Sequence, residues 1–340
     1  MFRDIRRKKM YHSSNPLFEL KHKRKTIVIY GFGQVGKEII KQRNKLKGDP
    51  HVKFLCISRK KIDFFTSDFH SGNFSNNVVS MALDLDYAEN IKRVASLCSM
   101  IIVLIPTQNT ESNLPNKEVD TRTRLLVLEL LKKKTLWKKG VYISTTGVYG
   151  NKNGNKTYET SRCIPTNNRS LRRLDAETRI RKLNFHILRV PGIYSINRLP
   201  IQRLLRRIPV LDKEEDVYTN HIHESDLARA AYLALFRGRR SRITNVVDNS
   251  DLKMSDYMDL VASATGLAKP ERASFAKLNQ LAAKGLISNM AMSFLQDSRR
   301  VKSDRLKKEL GINLIYPSVK DFFNKNRKQL QTIRQQKPSQ

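Results

Sequence analysis

The segment Ile27 to Ile40, IVIYGFGQVGKEII, constrains the fold more than any other part of the chain. An apolar run of strand length passes through glycines spaced Gly-x-Gly-x-x-Gly directly into an amphipathic helical pattern. Each glycine has its own physical reason in such a turn. Gly31 permits the sharp reversal, Gly33 lets a pyrophosphate approach the backbone, and Gly36 allows helix and strand to pack closely. A helix beginning at Gln34 and Val35 presents unbonded amide N–H groups and the positive end of its macrodipole. Its head is therefore an anion site before any side chain contributes. With a buried strand before it and a helix after it, the motif predicts a dinucleotide-binding turn.

The same alternation continues along the chain. Strand-length apolar runs at 25–31, 51–59, 100–106, 140–147 and 185–190 alternate with helical patterns at 35–46, 88–97, 123–134 and 171–183. Continuous apolar strands between helices indicate a parallel sheet covered on both faces, hence an α/β, Rossmann-type doubly wound fold. After Val190 the pattern changes to helices at 199–207, 224–236 and 254–266 with a short strand at 243–248, which predicts a smaller C-terminal α/β substrate domain. The expected organisation is a basic extension over 1–24, a dinucleotide-binding domain over 25–190, a substrate-binding domain over 191–323 and a polar tail over 324–340. A length of 340 residues suits this division at roughly 150 residues per domain. The longest strictly apolar stretch, Met100 to Ile105, is far shorter than the ~20 residues that cross a bilayer, so no membrane span is expected.

Charge adds a second constraint: 65 Lys and Arg stand against 31 Asp and Glu, a formal net charge of +34. Such a field attracts nucleic acid, anionic membrane surfaces and phosphorylated small molecules alike. The cations run from Arg3 to Lys337, which favours a general surface bias over a dedicated groove. The densest run, Arg237-Gly238-Arg239-Arg240-Ser241-Arg242, falls on a helix-to-strand loop and is the best nucleic-acid candidate, although no aromatic residue interleaves with it. Cys56, Cys98 and Cys163 lack the paired spacing of a zinc site or a disulfide framework, so no metal is expected and a reducing, cytoplasmic setting fits.

The end of the second strand bears on the choice of dinucleotide. Where an NAD site places a carboxylate for the ribose hydroxyls stands Ser58-Arg59-Lys60. Arg59 as a fork and Lys60 as a point charge suit the 2′-phosphate of NADP, while Asp63 nearby keeps NAD open. The adenine is expected near Asp84 and Leu85.

Taken in order, Gly31-x-Gly33-x-x-Gly36, Asp84-Leu85, Ser144-Thr145-Thr146-Gly147-Val148-Tyr149-Gly150, Leu188-Arg189-Val190-Pro191-Gly192-Ile193-Tyr194 and His223-Glu224-Ser225-Asp226-Leu227-Ala228 resemble the extended short-chain dehydrogenase/reductases, in particular the nucleotide-sugar epimerase/dehydratase branch. The resemblance covers roughly residues 26–320 and includes the ending Lys302 to Gly311. It implies a cofactor bed that includes Pro191, a substrate oxygen held by Thr145, and a proton exchanged by a Tyr four residues before a Lys. Alignment through Ala176-Glu177 puts Arg169 at that Tyr position and Arg173 at that Lys position. A guanidinium stays protonated and cannot exchange the proton, whereas Arg173 retains the fixed charge and donors that bind a nicotinamide ribose. Tyr149, Tyr158 and His221 are the substitute acids by chain order, each with a plainer role as a packed or hydrogen-bonded residue. Thr146 and Gly147 replace the acidic pair of the dehydratases, and Ser195 replaces the glycine usual after Tyr194.

Arg198, Arg203, Arg206 and Arg207 follow the sixth-strand loop and would either clamp a diphosphate or carboxylate, or form the solvated face over Leu199, Ile201, Leu204 and Leu205. The expectation is an NAD(P)-binding, epimerase/dehydratase-like oxidoreductase that prefers NADP and acts on a small anionic, phosphorylated or nucleotide-linked ligand. A non-catalytic NADP sensor and a nucleic-acid-associated protein are its alternatives, and a homodimer stays open as the assembly.

Overall fold

The computed structural model describes residues 25–46, 49, 51–62, 77–97, 99–108, 118–133 and 139–332. The N-terminal extension over 1–24, Asp63, Cys98 and the tail beyond residue 332 lie outside the described residues.

Strands β1 (Thr26–Tyr30), β2 (Lys53–Ser58), β3 (Val78–Ala82), β4 (Met100–Val103), β5 (Lys139–Thr145), β6 (His186–Val190) and β7 (Ile243–Asn245) form one sheet in the order β7-β6-β5-β4-β1-β2-β3. Every pairing in it is parallel. The expected Rossmann-type doubly wound sheet is therefore present. Helices α1 (Gln34–Lys45), α2 (Ala88–Ala95), α3 (Thr121–Lys132), α4 (Asn168–Arg181) and α5 (Glu224–Arg237) cover its two faces. The strand period divides the core: Ile27 and Ile29 join Ile39, Ile40, Leu227 and Ala231 on one face, while Val28 and Tyr30 join Ile91, Val94, Leu126 and Ile180 on the other. Each such aliphatic side chain contributes about 1.5–3 kcal/mol on full burial, which is why a run apolar on both sides settles in the middle of a covered sheet.

Strand β3, which is half-polar (VVSMA) and lies at the sheet edge, carries little of the hydrophobic signal of its neighbours. Helix α4 begins at Asn168, earlier than its apolar pattern, because Asn167 Oδ1 accepts a hydrogen bond from Ser170 N at 3.0 Å and caps it. The chain also re-enters the large layer after Val190: α5 packs on α1, and β7 extends the sheet beyond β6. The remaining C-terminal segments gather around a second core of Tyr194, Val210, Met258, Val261 and Phe322. Helix α6 (Met254–Thr265) lies in this lobe. Leu330, in the short helix Arg327–Gln331, is fully buried there, so the segment after residue 323 is anchored by an apolar residue before the tail begins.

Beneath the ends of β5 and β6 runs a buried polar chain. Arg189 forks onto Glu177, with Nε to Oε1 at 3.0 Å and Nη2 to Oε2 at 2.7 Å. Ser144 donates to Glu177 Oε1 at 2.6 Å, and the Arg189 guanidinium lies 4.7 Å from the Tyr149 ring centroid. Burial works against the charge on Arg189, yet the hydrogen bonds and charge of Glu177 hold its pKa above the ordinary value. This chain ties the strand ends that carry Thr145 to helix α4, which carries Arg173.

Candidate functional site: a cleft at the strand ends

The glycine turn is wedged between two strand ends. Gly31 has φ +87°, and its N–H and that of Phe32 both donate to Ile57 O, at 3.1 and 2.7 Å. A Cβ on Gly31 would stand 2.8 Å from Ile105 N, so this position excludes other residues by conformation and by space. Gly33 differs: its φ is −119° and a Cβ there would meet nothing within 4 Å. The space beyond it is open, as a turn that receives a ligand against its backbone requires. At Gly36 the nearest obstacle to a side chain is the turn that follows β1. A Cβ there would lie 2.6 Å from Phe32 Cδ2, the aromatic ring of the turn itself tucked under the helix. The first intrahelical bond of α1 runs from Lys37 N to Gly33 O at 3.0 Å, so the amides of Gln34, Val35 and Gly36 come before the hydrogen-bonded ladder and head the helix.

Two cavities meet at this turn and share Gly31, Gly33 and Pro106 in their walls. The larger, of 910 Å³, reaches toward β2 and β3 and is lined by Arg59, Lys60, Asp84 and Leu85. The smaller, of 410 Å³, reaches toward β5 and β6 and is lined by Gln34, Val35, Gly36, Thr145, Arg173, Pro191 and Arg198. Every residue read from the sequence as cofactor-binding thus lies on one continuous surface across the helix head. Arg59 and Lys60 are exposed immediately after β2. Asp84 Oδ1 accepts a bond from Asp86 N at 3.0 Å, which shapes the turn below Leu85.

Sequence reasoning missed Arg122, which also lines the larger cavity. Its Nε and Nη2 grip both carboxylate oxygens of Asp86 at 2.5 and 2.6 Å, and Nη1 donates to Pro106 O at 3.2 Å. The Arg122 fork holds the Asp86 carboxyl below the usual carboxylate range, with Arg59 adding to the effect. The pair clamps the loop after β3 to the loop after β4. One arginine at the start of a helix carries no sequence signal in so basic a chain, and its partner lies 36 positions away.

At the other end, Thr145 Oγ1 accepts a bond from Gly147 N at 3.1 Å and caps the single turn Thr146–Tyr149. Arg173 Nη1 donates to the Tyr142 hydroxyl at 2.8 Å and to Ile105 O at 3.2 Å, which fixes the guanidinium against the ends of β4 and β5. Burial raises the pKa of Tyr142, and the Arg173 charge opposes that shift. Arg198 stands 3.6 Å from Glu224, whose carboxyl is pushed above its ordinary range by burial and by the charge of Glu38.

The substitute acids sit elsewhere. Tyr149, read as a catalytic candidate, is instead a core residue: it is fully buried, its hydroxyl donates to Asn245 Oδ1 at 2.7 Å, and burial pushes its pKa up to about 12. Arg189 covers its ring and β7 supplies its partner, a combination set by the tertiary fold alone. His221 is buried 4.2 Å from the Tyr257 ring, with burial holding its pKa down to about 3. Tyr158 is half-buried and, like these two, lines neither cavity. Arg169 lies 4.6 Å over the Phe294 ring and is on neither wall. Of the four arginines on the substrate side only Arg198 lines the smaller cavity. Arg203 donates to Pro209 O at 3.1 Å, while Arg206 and Arg207 are exposed.

Beside His221 the small lobe buries Asp248, and burial raises its pKa to about 7. The unfolded value is about 3.9, so the stability that depends on a neutral Asp248 is complete below about pH 4 and falls as pH rises through about 7. Melting temperature should drop between about pH 4 and 7 in the wild type and level off above that, and Asp248→Asn should flatten that drop. A slope of equal size in both proteins would remove Asp248 as its cause.

No family model and no curated protein matches the chain. Solved structures do. A protein of unknown function from Silicibacter pomeroyi aligns over 91% of this chain and 99% of its own, with TM-score 0.68 and 20% identity. The dTDP-glucose 4,6-dehydratase of Bacillus anthracis in complex with NAD aligns over 89% of this chain and 96% of its own, with TM-score 0.66 and 16% identity. The UDP-glucose 4-epimerase of Thermotoga maritima with UDP-glucose aligns over 90% and 100%, with TM-score 0.65 and 15% identity. The chain therefore has the fold of the NAD-dependent epimerases and dehydratases, as its motifs imply.

Proposed function

We propose that this chain binds a nicotinamide dinucleotide across the two cavities, NADP in preference to NAD, as an epimerase/dehydratase-like oxidoreductase of a phosphorylated or nucleotide-linked ligand. The observation that carries the reading is the open space at Gly33, bordered by the amides of Gln34 and Val35 and flanked by the two cavities. The helix head takes the pyrophosphate, Arg59 and Lys60 take the 2′-phosphate, Asp84 and Leu85 border the adenine, and Arg173 with Pro191 receives the nicotinamide ribose. A bound nicotinamide supplies hydride donor and acceptor chemistry. Thr145 holds the reacting oxygen, and Arg198 pairs with an anionic group of the ligand. The folds shared with a dehydratase and an epimerase of sugar nucleotides support this ligand class.

A second reading, an NADP sensor without turnover, is favoured by one observation. Tyr149, Tyr158 and His221 all lie off the cavity walls, so none of them is placed to replace the proton-exchanging Tyr.

Titration with NADPH and NADH tests the cofactor reading. Arg59→Ala/Lys60→Ala should weaken NADPH by about tenfold or more and leave NADH nearly unchanged, because only the 2′-phosphate loses charge-assisted bonds. Equal affinities in the wild type would refute the preference. Following NADPH absorbance with a panel of sugar nucleotides separates the two readings. Turnover that falls by about a hundredfold in Thr145→Ala marks an enzyme, and tight binding with no consumption marks a sensor.

A further inference from the structure

The basic run Arg237–Arg242 lies at the opposite end of the sheet from the dinucleotide cleft. In a parallel sheet the covering helices run back against the strands, so their C-terminal ends collect where the strands begin. Here α4 ends in Arg181 and Lys182 before β6, α5 ends in the basic run before β7, and Lys139 opens β5. Between them is a cavity of 450 Å³, with Lys139, Asn184, His186, Arg239 and Arg240 in its wall.

The arginines of the run have separate tasks. Arg237 Nη1 donates to Leu310 O at 2.7 Å, and Arg242 forks onto Glu309, which Arg305 also approaches at 3.7 Å. These two hold the helix Arg305–Leu310 and absorb the nearby carboxylate. Lys139 Nζ donates to Phe236 O at 2.8 Å, the usual place of a cation at a helix C-terminus. Arg239 and Arg240 come after Gly238, past the end of α5. Both are exposed, and neither takes part in an ion pair among the described residues. Their loop is held from below: His186 Nδ1 donates to Arg239 O at 3.1 Å and Nε2 accepts from Thr244 Oγ1 at 3.0 Å. A Cβ on Gly238 would stand 2.9 Å from the His186 ring, so the loop lies close against that support.

We propose that this edge of the sheet binds the phosphodiester backbone of nucleic acid, with Arg239 and Arg240 as the phosphate-gripping pair and Lys139 adding charge behind them. Cations from separate elements rim a concave surface on a chain of net charge +34, the arrangement that polyanion binding favours. The run itself contains no aromatic residue, and the ring of the preceding Phe236 packs on Tyr232 at 5.2 Å, which points to backbone contact without sequence preference. An anionic membrane would be met by a basic amphipathic helix with a broad exposed apolar face, whereas Phe236 is the one large apolar side chain exposed beside this run among the described residues.

Fluorescence anisotropy of the full chain with a labelled duplex of about 20 base pairs, over about 50–300 mM salt, provides the test. Arg239→Glu/Arg240→Glu should weaken binding by about tenfold at ~100 mM salt and make the log–log salt slope shallower by about 2. Lys277→Glu/Lys284→Glu changes net charge equally on exposed positions of the small lobe and should weaken binding by less than about threefold. NADPH affinity measured alongside reports the integrity of the cleft separately. Equal weakening by the two double variants, no duplex binding by the wild type, or tighter binding to phosphatidylserine vesicles than to duplex would each overturn the proposal.

Discussion

Gly33→Val should leave the fold intact and remove dinucleotide binding. The backbone at position 33 is extended, at φ −119°, so a β-branched residue fits it, and the added side chain would strike no protein atom at the Cβ position. The branch would instead occupy the space in front of the Gln34 and Val35 amides. Losing two charge-assisted hydrogen bonds at roughly 1.5–3 kcal/mol each weakens binding by about a hundredfold or more. Melting temperature should move by no more than about 2 °C, since a surface change without strain lies within about 0.5 kcal/mol. The neighbouring glycines give the contrast. Gly36→Ala presses on Phe32 and should cost stability of about 1–3 kcal/mol, and Gly31→Ala should cost more because its positive φ and the Ile105 backbone both resist a side chain. Unchanged NADPH affinity in Gly33→Val would mean that the pyrophosphate lies elsewhere.

Removing one partner of the Arg189–Glu177 pair should be the most destabilising single change in the large layer. The side chains are 3% and 1% exposed, so either one left alone is a buried charge without its counter-ion, at a cost of about 3–5 kcal/mol. Glu177→Leu additionally removes the acceptor of Ser144, and Arg189→Met uncovers the ring of Tyr149. The double variant Glu177→Leu/Arg189→Met should be less damaging than the sum of the single changes by about 1–3 kcal/mol, because neither charge is then stranded. Urea midpoints of the four proteins measure this directly, and additive losses would show that the two side chains act independently. Arg173 is carried by α4, which this pair joins to β6, and Thr145 by β5, which Ser144 ties to Glu177, so the single variants should also loosen dinucleotide binding.

The two halves of the candidate site differ in how much of them could be read without the fold. Gly31, Gly33 and Gly36 act through their own backbone and immediate neighbours, so spacing alone was enough to place the turn. Arg59, Lys60, Asp84 and Leu85 were legible because each directly follows a strand, and in a parallel sheet all strand ends face the same cleft. The clamp between Arg122 and Asp86 was not legible. It joins two loops through a single pair of side chains, and in a chain with 65 cations one more arginine stands out from nothing. Tyr149 shows the opposite error: its place in a motif suggested chemistry, but Arg189 and Asn245, from two other strands, enclose it in the core.

Apolar periodicity and glycine spacing, both local properties, were sufficient for the layered sheet and the helix head, while Thr145, Arg173 and Pro191 followed from the family resemblance. Which charges are spent on the fold and which remain to meet a ligand was decided only by tertiary structure. Arg189, Arg237 and Arg242 are consumed by a buried glutamate, a helix carbonyl and a partly buried glutamate, whereas Arg59, Arg239 and Arg240 stay exposed. The reason is distance along the chain: an ion pair between residues tens of positions apart has no periodic signature, and it exists only once packing brings its two halves together.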